Sequence, residues 1–475
     1  MASTLLPLGD AARPLRVAVV GSGPSAFYAV DALYRVGGLH CRIDMFERLP
    51  TPFGLVRGGV APDHQKIKSV ARVYEQIADR DGFRFFGNVT IGRDLSLEEL
   101  RTNYDAVILA VGAESDRRLG VPGEELHGVH AATGFVGWYN GHPDHLHHEF
   151  DLANAERVAI VGNGNVAMDV ARILVQDPQR LATTDISDAA LEVLRRSRVR
   201  DVVVLGRRGP AQAAFSPKEL EEIAELDGVE VVVDPSDIEL DPASRAELER
   251  AGKSAQRNVR VLSEIVAKER KDASRRVHFR FLAAPEACIG EGGRVRGLRV
   301  RRSRLEPDEL GVLRAVPTDT VDYVAADLVF KAVGYRGIAL AGAPFDERSG
   351  TIPNTDGRVV DRVGGAVVPH LYVVGWAKRG PTGLIGTNSP DSKATVESLV
   401  ADLAARSAPA LDADDLERTP RLLRERGVEF VSLADWRVLD RHEQEAGAAD
   451  GRPRRKATDV AAMLAVIAAA RAAKS

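Results

Sequence analysis

The chain has 475 residues, about three times the length of an ordinary domain, and therefore divides into two or three. With 44% apolar and 28% charged residues it has the make-up of a soluble globular enzyme, which excludes disordered and fibrous classes, and a net charge of −4 argues against bulk nucleic-acid binding. Its two cysteines, Cys41 and Cys288, exclude a disulfide scaffold, a CxxC redox pair, a Cys-rich zinc site and an iron–sulfur cluster, so any redox chemistry must be carried by a bound cofactor.

In chain order, residues 1–15 lack both the basic leader and the apolar core of a secretory signal, and no run of 18 apolar residues occurs, so cytoplasmic residence without membrane insertion is expected. A strand is predicted over 16–20, then a Gly-rich turn and a helix to about Arg35. A second strand over 41–47 ends in an acid, and a strand over 104–113 closes the first block. A fresh strand and Gly-rich turn begin at 156–165, followed by a helix over 166–175 and a strand over 201–208. The polar stretch 241–276 reads as a surface helix and loop, with strands following near 277–283 and 296–302. The run 327–336 repeats the pattern of 105–113, and a last strand over 370–376 leads into a Gly-rich segment and a helix. Residues 410–475 read as helical, locally basic at Arg452, Arg454, Arg455 and Lys456, and no repeat of solenoid period is visible.

Two strand–turn–helix copies predict an α/β fold of two Rossmann-like dinucleotide-binding domains. The 370–376 strand resembles the close of the first block, so the second domain is expected as an insertion: 1–115 and 339–475 form one split domain, and 116–338 the other.

The first turn is Gly21-Ser22-Gly23-Pro24-Ser25-Ala26. Gly21 permits the tight turn, Gly23 lets backbone approach a pyrophosphate, and Ala26 allows close helix–strand packing. The pyrophosphate would rest on amide groups at the helix N-terminus. Glu47, at the end of the next strand, stands where an acid accepts both hydroxyls of an unphosphorylated ribose, as in FAD or NAD. The second turn is Gly162-Asn163-Gly164-Asn165-Val166-Ala167, and its partner strand ends in Arg207-Arg208 rather than in an acid. Two guanidiniums there suit a dianionic 2′-phosphate, although Arg195, Arg196, Arg198 and Arg200 nearby also allow a plain solvated basic corner. One site for an acid-bound ADP and one for a 2′-phosphate imply FAD with NADP(H), and hydride transfer from nicotinamide C4 to flavin N5.

Three long runs then resemble the adrenodoxin reductase-type NADPH–ferredoxin reductases: 52–64 (PFGLVRGGVAPDH), 162–172 (GNGNVAMDVAR) and 375–388 (GWAKRGPTGLIGTN). The resemblance extends in register from about residue 16 to the C-terminal tail. It implies an FAD domain split by an NADP domain and single-electron delivery to a ferredoxin-type iron–sulfur protein. Beside Gly21 and Gly23, read from the turn itself, it implies FAD contacts at Ser25, Glu47, Leu55, Val89, Trp376, Gly383, Leu384 and Ile385. The NADP contacts fall on Asn163, Gly164, Asn165, Val166, Arg207, Arg208, Glu219 and Gly383, with His64 and Glu222 as the residue pair beside the flavin. Ser25 stands where Ala is commoner, and one extra residue lies between Glu47 and the Phe-Gly-Leu-Val-Arg run relative to some members.

Several of these residues have simpler readings. Ser216-Pro217-Lys218-Glu219 forms the pattern of a capping box, so Glu219 can serve a helix start. Asp63 reads as the N-cap of a helix from His64, His64 itself as a surface residue, Trp376 as core, and the cysteines as buried apolar residues. Among other functions, the absent CxxC opposes a disulfide reductase, and the absent Cys-rich ligands oppose an electron-supplying subunit like the glutamate synthase small subunit. A flavin monooxygenase remains the competing NADPH-dependent reading. The ferredoxin partner is expected to dock transiently and electrostatically on a basic face near the junction of the two domains.

Overall fold

Strand β1 (Leu15–Val20) is buried at every position, as a parallel strand covered on both faces must be. The computed structural model describes residues 5–269, 273–403 and 406–473. The chain divides into two units, Met1–Ser115 with Tyr335–Ser475, and Asp116–Gly334. In the first, β1 leads through a turn into helix α1 (Pro24–Tyr34), which Pro24 starts at its first turn. Strands β2 (Cys41–Phe46), β3 (Phe83–Phe86) and β4 (Ala106–Leu109) run parallel to β1 in the order β3-β2-β1-β4. Successive residues of β1 alternate between two apolar cores: Val17 and Val19 face one, Ala18 and Val20 the other.

The second unit repeats the arrangement. Strand β5 (Arg157–Val161) feeds helix α2 (Asn165–Val175), then come β6 (Asp201–Leu205), helix α3 (Pro217–Ala224) and β7 (Leu328–Lys331). These strands belong to a parallel sheet of six, in the order Val229–Val233, Arg275–Arg280, β6, β5, β7, Val129–Ala131. Val158 and Ile160 face a core closed by helices, whereas Ala159 and Val161 face one closed by an antiparallel meander of Ala283–Glu291, Arg294–Pro307 and Leu313–Ala325. The sequence reading places only the central strand of this meander, near 296–302 and shorter than observed, and misses the strands on either side of it. Its outer face is charged, and cross-strand pairs such as Glu286 with Arg299 (2.8 Å) and Arg301 (2.5 Å) replace the apolar alternation that marks a strand. The stretch expected as a surface helix and loop over 241–276 holds two helices, Pro242–Arg250 and Lys253–Ala267, while residues 270–272 lie outside the described residues. The strands expected over 104–113 and 327–336 stop after four residues each. The glycines beyond them, Gly112 (φ 72°) and Gly334 (φ 106°), adopt left-handed backbone that ends a strand.

The chain leaves and re-enters the first unit at neighbouring points: the Ser115 hydroxyl donates to the Arg336 carbonyl at 2.9 Å. Strand β8 (Val367–Val373) then pairs parallel with β4 and completes the first sheet's parallel core. The C-terminal helices include α4 (Leu433–Ala448), capped by Ser432 and Asp435 in a reciprocal box.

From α4, Glu443 meets Arg57 in a bidentate pair (2.5 and 2.8 Å), and its side chain is 0% exposed. The Arg57 guanidinium also lies over the Trp436 ring at 5.4 Å. Arg454 contributes a second cation to Glu443 at 3.2 Å and the Ala457 amide a further donor at 2.9 Å. Much of the basic run of the tail is therefore engaged within this unit: Arg454 also pairs with Asp440, Arg455 with Asp450, and Lys456 donates to the Arg57 carbonyl.

Burial alone would raise the Glu443 carboxyl, but Arg57 and Arg454 hold it below the usual carboxylate range. A depressed folded pKa means that its contribution is complete above the unfolded value of about 4.3 and is lost as pH falls through the folded one. Glu443→Ala leaves the largely covered Arg57 guanidinium without its counter-charge and should cost about 3 kcal/mol, measured by urea denaturation at pH 7. An unchanged midpoint would show that the pair does not hold the tail to the 52–64 loop.

Candidate active site

The first turn is shaped by backbone. The Gly21 amide donates to the Phe46 carbonyl at 2.8 Å, and a Cβ on Gly21, whose φ is 102°, would lie 2.4 Å from the Ala110 carbonyl oxygen. Gly23 is the N-cap of α1, and a Cβ there meets nothing within 4 Å. That space lies at the N-terminus of an 11-residue helix, where free amides and the helix dipole favour an anion. Phe53 N donates to the Ser22 carbonyl at 3.0 Å, and a Cβ on Gly54 would come within 3.0 Å of the Gly23 Cα, so the segment entering Leu55 is seated on the turn. Gly375 closes the other side, where a Cβ would stand 2.5 Å from the Ser25 hydroxyl.

Glu47 follows β2 directly. One carboxylate oxygen accepts from the Ser22 hydroxyl (2.6 Å) and amide (3.2 Å), the other from the Leu49 amide (3.1 Å). Burial raises its carboxyl, against the pull of the Ser22 hydroxyl and the Leu49 amide. A carboxylate offers about four acceptor positions, so capacity remains for a ribose hydroxyl. Val89, buried, donates its amide to the Glu47 carbonyl at 2.9 Å. Trp376 follows Gly375, is half-buried, and donates Nε1 to the Thr382 carbonyl at 3.2 Å. Arg379 grips the same loop through the Thr382 carbonyl and Asn388 Oδ1, while Gly383 and Leu384 are exposed and Ile385 half-buried. The first unit thus gathers Gly21, Gly23, Ser25, Glu47, Leu55 and Val89 around one turn, with the Trp376–Ile385 segment entering beside Ser25.

The second turn reproduces the first. The Gly162 amide donates to the Leu205 carbonyl at 2.9 Å, a Cβ on Gly162 would lie 2.3 Å from the Ala332 carbonyl oxygen, and Gly164 has open space at the N-cap of α2. Asn163 Nδ2 is buried without a hydrogen-bond partner among the described residues, a donor that a phosphate oxygen would satisfy. The Asn165 carboxamide accepts from the Ser216 amide at 2.7 Å, tying the turn to the start of α3. Val166 lies in the first turn of α2. Arg207 and Arg208, just past β6, are exposed and make no hydrogen bond or ion pair through their side chains among the described residues. Three of the four neighbouring arginines are already paired, Arg195 and Arg196 with Glu192 and Arg198 with Glu156, whereas Arg200 is exposed without a side-chain partner among the described residues.

Two local readings need correction. The box expected at Ser216–Glu219 is only half-formed: Ser216 Oγ caps the Glu219 amide at 3.4 Å, but the Glu219 carboxylate turns to Arg172 at 2.9 Å. Arg172 is 2% exposed and also meets Asp169 (2.7 Å) and Glu222 (3.7 Å), and a buried cation outcompetes an amide for the carboxylate. Burial raises the Glu219 carboxyl, with Arg172 opposing. Nor does Asp63 take the N-cap position: the helix is Gln65–Lys68, its N-cap falls on buried His64, and the position has no side-chain cap. Sequence reasoning missed Ser22, Arg172 and Arg379 as organisers. Ser22 was the most accessible of them, being a hydroxyl inside the turn one strand away from the acid. Both cysteines are buried as expected, and burial pushes their thiols to about 12 (Cys41) and about 11 (Cys288).

The donors fit the phosphates and riboses of two dinucleotides, and this pairing of turns defines a two-nucleotide oxidoreductase. A model of the family described as pyridine nucleotide-disulphide oxidoreductase matches residues 15–250. The chain is 46% identical over 460 residues to NADPH-ferredoxin reductase FprA of Mycobacterium tuberculosis, covering 95% of this chain and 99% of that protein. It is 39% identical to the mitochondrial NADPH:adrenodoxin oxidoreductase of Arabidopsis thaliana, covering 94% and 93% respectively. A solved structure of Mycobacterium tuberculosis FprA in complex with NADPH is similar with a TM-score of 0.89 and 45% identity, over 96% of this chain and 100% of that one. The chain belongs to the family of adrenodoxin reductase-type NADPH–ferredoxin reductases.

Proposed function

We propose that the chain is an FAD-dependent NADPH–ferredoxin oxidoreductase whose split unit holds FAD and whose inserted unit holds NADP(H). One observation carries the reading: the two turns share a backbone geometry but end in opposite charges, Glu47 at one and, at the other, Arg207 and Arg208, unpaired among the described residues. When bound, FAD supplies the conversion of a two-electron hydride donor into single electrons for an iron–sulfur protein.

The residues of this chain bind and orient. In the reading, Gly21, Gly23 and Ser25 seat the FAD pyrophosphate at α1, Glu47 takes its ribose, and Leu55, Val89, Trp376 and Gly383 to Ile385 line the rest. Asn163, Gly164, Asn165 and Val166 seat the NADP pyrophosphate at α2, with Glu219 and Gly383 toward the nicotinamide end. His64 and Glu222 are assigned to the flavin's reactive edge, where they hold a proton rather than attack substrate. Anaerobic NADPH titration of the purified yellow protein should bleach the flavin bands; a colourless protein that never takes up FAD would overturn the assignment.

Replacing Arg207 and Arg208 together with Ala removes charge-assisted hydrogen bonds of about 1.5–3 kcal/mol each before non-additivity. KM for NADPH should rise while kcat changes less, because the 2′-phosphate is remote from the hydride, and KM for NADH should barely move. The NADPH preference should fall at least tenfold, about 1.4 kcal/mol. Equal losses with both coenzymes would reassign the arginines to the fold.

His64→Ala should leave FAD bound yet alter its spectrum or the rate of its reduction, read by stopped flow. If both stay as in the parent protein, His64 has no part at the flavin.

The acceptor is a ferredoxin-type iron–sulfur protein, and we place its docking on exposed cations of the split unit. Lys66 and Arg72, on the segment after His64, are exposed and without ion pairs among the described residues. Ferredoxin-dependent turnover should therefore fall as ionic strength rises; a flat salt profile would exclude electrostatic docking. Among the described residues no helix is long and apolar enough to cross a membrane. Cytoplasmic residence completes the reading and is checked by cell fractionation.

A further inference from the structure

Four of the chain's 11 histidines, His142, His145, His147 and His148, fall within seven consecutive residues, and the redox reading uses none of them. They follow the helix Ala132–Tyr139, whose Gly134 and Gly137 stand one turn apart on one face. A Cβ at Gly134 would lie 2.9 Å from His148 Nε2, and one at Gly137 would lie 2.1 Å from His145 Cδ2. The two imidazoles therefore fill positions that the helix leaves open for them, and Phe150 stands against His148 with ring centroids 5.9 Å apart.

Within this seat His145 Nδ1 and His148 Nε2 face one another at 3.2 Å. One proton bridges such a pair. Two imidazole nitrogens bonded at about 2.0–2.1 Å to one tetrahedral ion stand about 3.3 Å apart. Exchanging the bridging proton for a metal thus requires the rings to tilt but not to separate. No net proton is lost: one ring changes tautomer, its proton moving to the far nitrogen, and both facing lone pairs become donors. A third imidazole is adjacent. His147 is exposed, its ring centroid 4.3 Å from that of His148, so its side chain can rotate without disturbing packing. His142 is engaged otherwise, its Nδ1 accepting from the Asp144 amide at 3.3 Å to cap the turn Pro143–His145.

We propose that His145, His148 and His147 form a binding site for one divalent transition-metal ion of the kind imidazole prefers, Zn²⁺, Ni²⁺ or Cu²⁺, with water as the remaining ligand. The ion clamps the 142–148 segment to the glycine face of its helix. The site is separate from the dinucleotide turns and does not rest on the redox reading.

The test uses the FAD-loaded full chain with any affinity tag removed, titrated with ZnCl₂ by calorimetry. One ion should bind per chain, and His145→Ala and His148→Ala should each weaken binding at least tenfold while leaving NADPH-driven turnover without added metal unchanged. His147→Ala should also weaken binding without changing the Tm of the metal-free protein. X-ray absorption at the zinc edge should report three imidazole ligands. No binding, affinity unchanged in the His145/His148 double variant, or a ligand shell without histidine would each overturn the site. Loss confined to variants that also lower the metal-free Tm, with His147→Ala binding as the parent does, would overturn the three-imidazole assignment.

Discussion

The rest of this structure depends on two positions where a side chain cannot exist. At Gly21 and Gly162 the backbone presses so closely on a neighbouring strand-end carbonyl that a Cβ would stand 2.4 and 2.3 Å from the oxygen. Each of these glycines also donates its amide to the end of the adjacent strand, fixing the turn between two strands rather than beside one. The helix that follows is thereby aimed with its N-terminus over the carboxyl ends of the sheet, where open-sheet α/β proteins bind nucleotides. A substituent at either position would displace the helix start from the space that the second glycine of the turn leaves open.

The same scaffold is then given opposite specificities by what lies at the next strand's end. Glu47 is held by Ser22 and Leu49, so its orientation is set before any ligand arrives. The Arg207 and Arg208 side chains have no hydrogen bond or ion pair among the described residues and remain exposed. An acid that must distinguish a free ribose hydroxyl from a phosphate gains from rigidity. Arginines that meet a dianion can reorganise around it, because charge-assisted bonds repay the ordering.

These features were legible in the sequence in proportion to how local they are. Both turns, the acid after β2 and the arginine pair after β6 lie within some 45 residues of each other in each unit and could be read from spacing. The Arg57–Glu443 pair joins positions 386 residues apart, and nothing around Glu443 distinguishes it from any helical glutamate. The meander strand Leu313–Ala325 was hidden because its exposed face is charged and its inward residues are few. Glu219 was read as half of a capping box because its local pattern is complete; only the fold brings Arg172 to it. Local rules propose partners, and a buried charge chooses among them.

The insertion also orders events in time. The inserted unit, Asp116–Gly334, is continuous in sequence, so all its strands are present once Lys331 has been made. The outer unit is not: β4 lacks its second neighbour until β8 is synthesised, and Leu371 pairs with Val107 across more than 260 intervening residues. At about 5–20 residues per second, the ribosome needs roughly 13–50 s to cover that distance. For that interval one edge of the half-made sheet, with its apolar residues, stands uncovered while the later domain folds first. Protecting that edge, rather than reaching the native contacts, is the demand that this architecture places on the cell.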